Sequence, residues 1–214
     1  MNNVFDYMLL TAFGWLLGLL TLPVAEVIKK QYHKKEIIKG ILLEIKEINL
    51  RNILVTFLIA SHRGTVDKKL LILINKAVNE YRADCFPESL VKILEQMLSA
   101  PEEQVNIALT SVKKENSVLS IKKYHTPFLD SKFEYLSMFS NEAQLLIFET
   151  KAKISLHNEE IENANYFFKT MLNPALNDDL SKTLDNNLNE SYKKIEELGR
   201  YIAGNLYAIE SCLK

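Results

Sequence analysis

The chain has 214 residues, with 26 Lys and Arg against 27 Asp and Glu and a pI near 6.5. It therefore carries no global basic field, and no nucleic-acid partner is expected. Charged residues make up 25% and hydrophobic residues 48%, ordinary values that exclude a disordered or fibrous chain.

Tyr7 to Ala25 contains no charged side chain. At helical rise the run covers about 29 Å, the thickness of a bilayer's hydrocarbon core. It predicts a single-pass transmembrane anchor over residues 1–28. A cleaved signal peptide fits less well, because its positive charges would precede the apolar run. Here Asp6 precedes it, and Lys29, Lys30, Lys34, Lys35 and Lys39 follow. Such a basic flank stays on the cytoplasmic side and lies against anionic headgroups. The expected location is the inner (cytoplasmic) membrane, with the N-terminus outside and the C-terminal body in the cytoplasm. Gly14 and Gly18 form a GxxxG spacing, which lets two membrane helices pack closely and makes a homo-oligomer the expectation.

Residues 29–60 read as the basic juxtamembrane flank and a stalk helix continuous with the anchor. Ile37, Ile41, Ile45 and Ile48 recur at helical spacing, and Ile53 to Ala60 reads as core. Residues 61–214 read as a cytosolic helical domain. Gly64 marks a turn before a helix from about Val66 to Arg82. Pro87 opens a third helix, and Ser99 reads as the N-cap of a fourth with Pro101 in its first turn. A polar stretch follows up to Pro127. Asp130 then caps a helix holding Phe133, Leu136 and Phe139. Asn141 and Gln144 resemble a capping box for a helix of about 30 residues ending near Leu172. The last helix runs from about Leu180 to the C-terminus. Its Leu188, Ile195, Ile202 and Ile209 are spaced by seven, a coiled-coil-like pattern.

The predicted fold is thus all-α: an N-terminal transmembrane helix continuing into a cytosolic helical bundle, with two long antiparallel C-terminal helices. Strand alternation and internal repeats are absent from the sequence pattern.

Chemistry is harder to find. No glycine lies between Gly64 and Gly199, so a Walker A loop, a dinucleotide fingerprint and a GxSxG elbow are missing. His157 and Glu160 share a helix face, but a di-iron bundle needs two Glu-x-x-His units. No cofactor or metal is expected, and no catalytic residue is assigned. Cys85 and Cys212 read as free thiols in a reducing compartment. Lys113, Lys114, Lys122 and Lys123 form the only basic cluster outside the flank, a candidate contact for anionic groups.

The expected function is a non-enzymatic, membrane-tethered helical interaction module that contacts the lipid bilayer and a cytosolic or membrane protein partner. Single-pass helical proteins of this build occur in bacteria as accessory components of membrane-associated systems. The alternative is a membrane-acting effector whose anchors oligomerise and perturb the bilayer when the cytosolic domain is triggered.

Overall fold

The computed structural model describes residues 2–80, 88–110, 119, 121–173 and 177–213. Within the helices, the side chains of residues 2–10, 12, 16, 17, 20, 22, 90, 102, 106, 109 and 110 also lie outside the described residues. All secondary structure among the described residues is helical. The helices are α1 (Asn2–Arg63), α2 (Lys68–Glu80), α3 (Glu88–Ser99), α4 (Glu102–Thr110), α5 (Pro127–Ser131), α6 (Asn141–Met171) and α7 (Asp178–Leu213), with a 3-10 helix at Phe133–Met138.

The chain divides into two compact units, residues 1–41 and 42–214. The first is helical throughout its described length and contains Pro23 inside the helix. The hydroxyl of Thr21 donates to the Gly18 carbonyl at 2.8 Å, so this polar group is satisfied by its own helix. Among the described residues, no helix is long and apolar enough to cross a membrane. The uncharged run from Tyr7 to Ala25 includes Leu9, Leu10, Leu16, Leu17, Leu20 and Leu22, whose side chains lie outside the described residues. They are six of its seven leucines.

The second unit is a bundle built on residues 42–63 of α1 together with α6 and α7. The helix from α1 ends where Gly64 adopts a left-handed φ of 70°. The N–H of Thr65 then reaches back to the Ala60 carbonyl at 2.8 Å, the closing bond of a Schellman turn, which favours glycine because a Cβ is strained there. α6 and α7 run antiparallel: Tyr201 of α7 bonds Glu149 early in α6, whereas Lys194, further toward the start of α7, pairs with Glu160 further along α6.

The heptad reading of α7 holds at the level of burial. Leu188, Ile195, Ile202 and Ile209 are all buried, as are Leu184, Tyr192 and Leu206. Each fully buried Leu or Ile contributes about 1.5–3 kcal/mol by leaving water. α7 contributes to two separate core clusters. Ala203 joins Leu50, Ile53 and Ala60 of α1, Leu70, Leu71, Ile74 and Val78 of α2, Leu94 of α3 and Val105 of α4. Leu188, Tyr192 and Ile195 join Ile59 of α1, Ile121, and Ile161 and Ala164 of α6.

Several local expectations are corrected. Ser99 does not cap α4; its hydroxyl donates to the Gln96 carbonyl at the end of α3. Asp130 lies inside α5, where its carboxylate pairs with Lys151 and accepts from Thr126 at 3.1 Å. Phe133–Met138 is a 3-10 helix, the form short helical pieces and connectors often take. The N-cap of α6 is Ser140, whose hydroxyl accepts from the Ala143 N–H at 3.2 Å. Gln144 bonds the Phe139 carbonyl instead of completing a capping box. Ile53 to Ala60 is not core all round, because Leu58 is 52% exposed. The parts of the expected second and third helices at Tyr81, Arg82 and Pro87 lie outside the described residues.

Candidate functional site

The first unit carries the sequence-derived site. Phe13, Trp15, Leu19, Val24, Val27 and Ile28 are each more than half exposed, with Trp15 at 73%. These are exposed apolar side chains on one stretch of α1, which makes the stretch a candidate contact surface. A Cβ built at Gly14 or Gly18 meets nothing within 4 Å, so both positions are open among the described residues. Lys29, Lys30, Lys35 and Lys39 are exposed and Lys34 is half-buried. At about 100° per residue these five lysines spread around the helix axis instead of lining one face. They form a collar.

The second basic cluster is not a unit. Lys113 and Lys114 lie outside the described residues. Lys122 is exposed, whereas Lys123 pairs with Glu162 of α6. Lys123 also lines a cavity of about 190 Å3 with Glu44, Glu47, Arg51, Tyr124 and His125. Its charges are already matched: Arg51 pairs with Glu47, and both oxygens of Glu44 accept backbone N–H groups, from Phe128 and Leu129, at 2.8 Å each. Glu44 thereby satisfies the otherwise orphaned donors that open α5. Both strong cations lining the cavity, Arg51 and Lys123, are thus paired with carboxylates.

No protein-family model, curated protein or solved structure matches this chain.

Beside the cavity, residues 121–126 form an irregular strap held by side chains that bond its main chain. Asn158 accepts from the Tyr124 N–H at 2.9 Å and donates to the Tyr124 carbonyl at 2.8 Å. Asn165, seven residues on, donates to the Ile121 carbonyl at 3.0 Å. The Tyr192 hydroxyl bonds both the N–H and the carbonyl of Leu119. Ile121, Tyr124 and Thr126 are buried, and Lys122, Lys123 and His125 point to solvent.

Beneath the strap, the Tyr124 ring stacks on His157 with centroids 5.1 Å apart. His157 is fully buried, and among the described residues neither ring nitrogen makes a hydrogen bond of good geometry, the Ile195 backbone being only a weak partner. Burial pushes its pKa down to about 4, against a weaker opposing effect of the nearby Ile195 backbone. It is a neutral core imidazole. Glu160, its partner in the sequence-level metal pair, is committed to Lys194 through Oε1. Among the described residues, no three His, Cys, Asp or Glu side chains are grouped to hold a metal ion. Cys212 is an exposed free thiol, and Cys85 lies outside the described residues.

Sequence reasoning missed a buried charge clasp at the end of α1. Glu196 accepts from Arg63 at 2.6 Å, from Thr65 at 2.6 Å and from Arg200 at 3.0 Å. Arg200 also grips both oxygens of Asp67, at 2.9 and 3.1 Å. Asp67 in turn caps α2 through the Leu70 N–H at 2.8 Å. Burial alone would raise the Asp67 pKa, but the Leu70 N–H and the Arg200 guanidinium outweigh it and hold the carboxyl below its usual range. Gly199 was missed as well. A Cβ there would overlap Thr56 Oγ1 and come within 3.3 Å of Asn52 Oδ1, and Asn52 donates to the Gly199 carbonyl at 2.7 Å. The one available signal was a glycine in the interior of a long heptad helix, where it costs about 1 kcal/mol and usually marks close approach.

Proposed function

We propose that this chain is a membrane-tethered, non-enzymatic helical interaction module that self-associates, held at the inner (cytoplasmic) membrane with its second unit in the cytoplasm. The observation that carries the reading is the set of exposed apolar side chains Phe13, Trp15, Leu19, Val24, Val27 and Ile28, followed by the lysine collar. An apolar helix belted by cations at one end matches what a bilayer core and an anionic headgroup layer each favour. The polar side chain of Thr21, satisfied within its own helix, suits the same apolar surroundings. The non-enzymatic part rests on the missing phosphate-cradling glycines and on charges already committed to one another around Glu196 and Glu44.

The experiment is removal of residues 1–28, followed by membrane fractionation and particle-mass measurement. The truncated chain should leave the membrane fraction. Unchanged membrane association would sink the tether. A second readout uses Trp15, the sole tryptophan. After reconstitution its emission should resist aqueous iodide, and strong quenching would contradict burial in lipid.

A second reading, a membrane-acting effector whose anchors assemble when the cytosolic unit is triggered, draws on the open face at Gly14 and Gly18. Replacing both with Ile should abolish assembly and any membrane permeabilisation; unaltered oligomer mass would count against it.

A further inference from the structure

We propose that the outer face of the α6–α7 pair docks a cationic amphipathic helix of a partner protein. This deepens the interaction-module reading, on which it rests, by naming the surface and the partner's chemistry. The inward side of α6 is occupied by Ala143, Ile147, Ile154, Ile161 and Ala164, all buried. On the opposite side, Leu145 is 68% exposed, Phe148 43% and Leu156 45%, with Ala152 exposed between them. These positions step by three, four and four residues, so they form one straight apolar stripe along the helix. Phe148 meets Phe133 edge-on with centroids 5.3 Å apart and is still 43% exposed, so the stripe keeps more exposed apolar surface than a helix buried on its other side needs.

The stripe runs into a groove of about 390 Å3 between α6 and α7. Leu156, Leu198 and Tyr201 supply its apolar lining, and Glu159, Glu160 and Glu197 its carboxylates. The charge pattern identifies the occupant. Lys194 satisfies only Oε1 of Glu160, at 3.2 Å, and Oε2 is buried with no donor among the described residues. Glu159 and Glu197 are exposed and have no cationic partner among the described residues. The remaining cation, Lys153, sits over the Tyr201 ring at 5.1 Å. The groove therefore offers apolar area with unmatched acceptors beside it. A helix presenting apolar residues at i, i+3 or i+4 and i+7, flanked by Lys or Arg, fills both needs at once.

The test uses the full chain in nanodiscs of neutral phosphatidylcholine, with empty nanodiscs subtracted. The probe is a labelled 18-residue helix of Leu and Lys arranged amphipathically, alongside a shuffled peptide of the same composition. Anisotropy should show saturable binding by the amphipathic peptide, at least tenfold tighter than by the shuffled one. Glu159→Lys with Glu197→Lys, both at exposed positions, should weaken binding tenfold or more, and the milder Glu159→Gln with Glu197→Gln should fall between. Equal binding by the charge-reversed chain, equal binding by the shuffled peptide, or no saturable binding of either would overturn the proposal. So would a wild-type dimer that the charge reversal converts to monomer, which would make this face a contact between copies. Membrane fractionation on the same samples separates the two ideas. Loss of membrane association with peptide binding intact removes the tether and leaves the groove, and the reverse removes the groove alone.

Discussion

Replacing His157 should flatten the acid sensitivity of the second unit. In the folded chain this imidazole is buried under the Tyr124 ring and titrates near 4, against 6.5 for a free histidine. Between those values the unfolded chain takes up a proton that the folded chain refuses. The stabilisation is therefore fully present above pH 6.5, is lost progressively as pH falls, and levels off near pH 4. Integrated from pH 7.5 to 5.0, one such site removes about 2 kcal/mol, roughly a 30-fold change in the folded-to-unfolded ratio. Over the full window the loss approaches about 3 kcal/mol. His157→Leu keeps similar volume and removes the titration. The assay is urea unfolding of the full chain in mild detergent at several pH values, followed by near-ultraviolet circular dichroism of the tyrosines. Carboxylates titrate in both proteins and cancel in the comparison. Wild type should lose about 2 kcal/mol more than His157→Leu over that interval. Equal losses would refute the reasoning, whatever the variant's absolute stability.

Three further outcomes follow from contacts of the second unit. Gly199→Ala should destabilise by about 1–3 kcal/mol, read as a lower Tm, because the added methyl overlaps Thr56 where α1 and α7 meet. Glu44→Gln should cost about 1–3 kcal/mol, since an amide can accept only one of the Phe128 and Leu129 N–H groups and sets its own donors against the other; hydrogen exchange should rise first in α5. Glu196→Gln leaves Arg63 and Arg200 without their shared charge and should cost about 2–4 kcal/mol by denaturant unfolding, below a fully buried pair because both arginine side chains are about a quarter exposed.

Long helices were legible because their core positions repeat. Leu188, Ile195, Ile202 and Ile209 share one side of α7 at a period no strand or loop would keep, and all four are buried. Helix ends were legible only to within a residue or two. Ser140 and Asn141 both suit an N-cap, and the choice of Ser140 depends on which backbone N–H its hydroxyl meets. Ser99 was misread for a similar reason, since its hydroxyl reaches as easily back to α3 as forward. The strap was not legible. Its geometry comes from Asn158, Asn165 and Tyr192, which lie between 34 and 73 residues away in the chain. Polar residues that bond a distant main chain leave no local period. The glycine and lysine positions of the first unit were readable as spacing; the structure adds that a Cβ at either glycine meets open space and that Lys29, Lys30, Lys35 and Lys39 are exposed.

The strap's mode of attachment has a practical use. Asn158, Asn165 and Tyr192 hold main-chain groups of Tyr124, Ile121 and Leu119, so the side chains of Lys122 and His125 do not enter the fastening. Those two sites are tolerant display positions on a firm mount. A fluorophore or spin label there would follow the orientation of the whole second unit, free of the tumbling that blurs such reporters on ordinary loops.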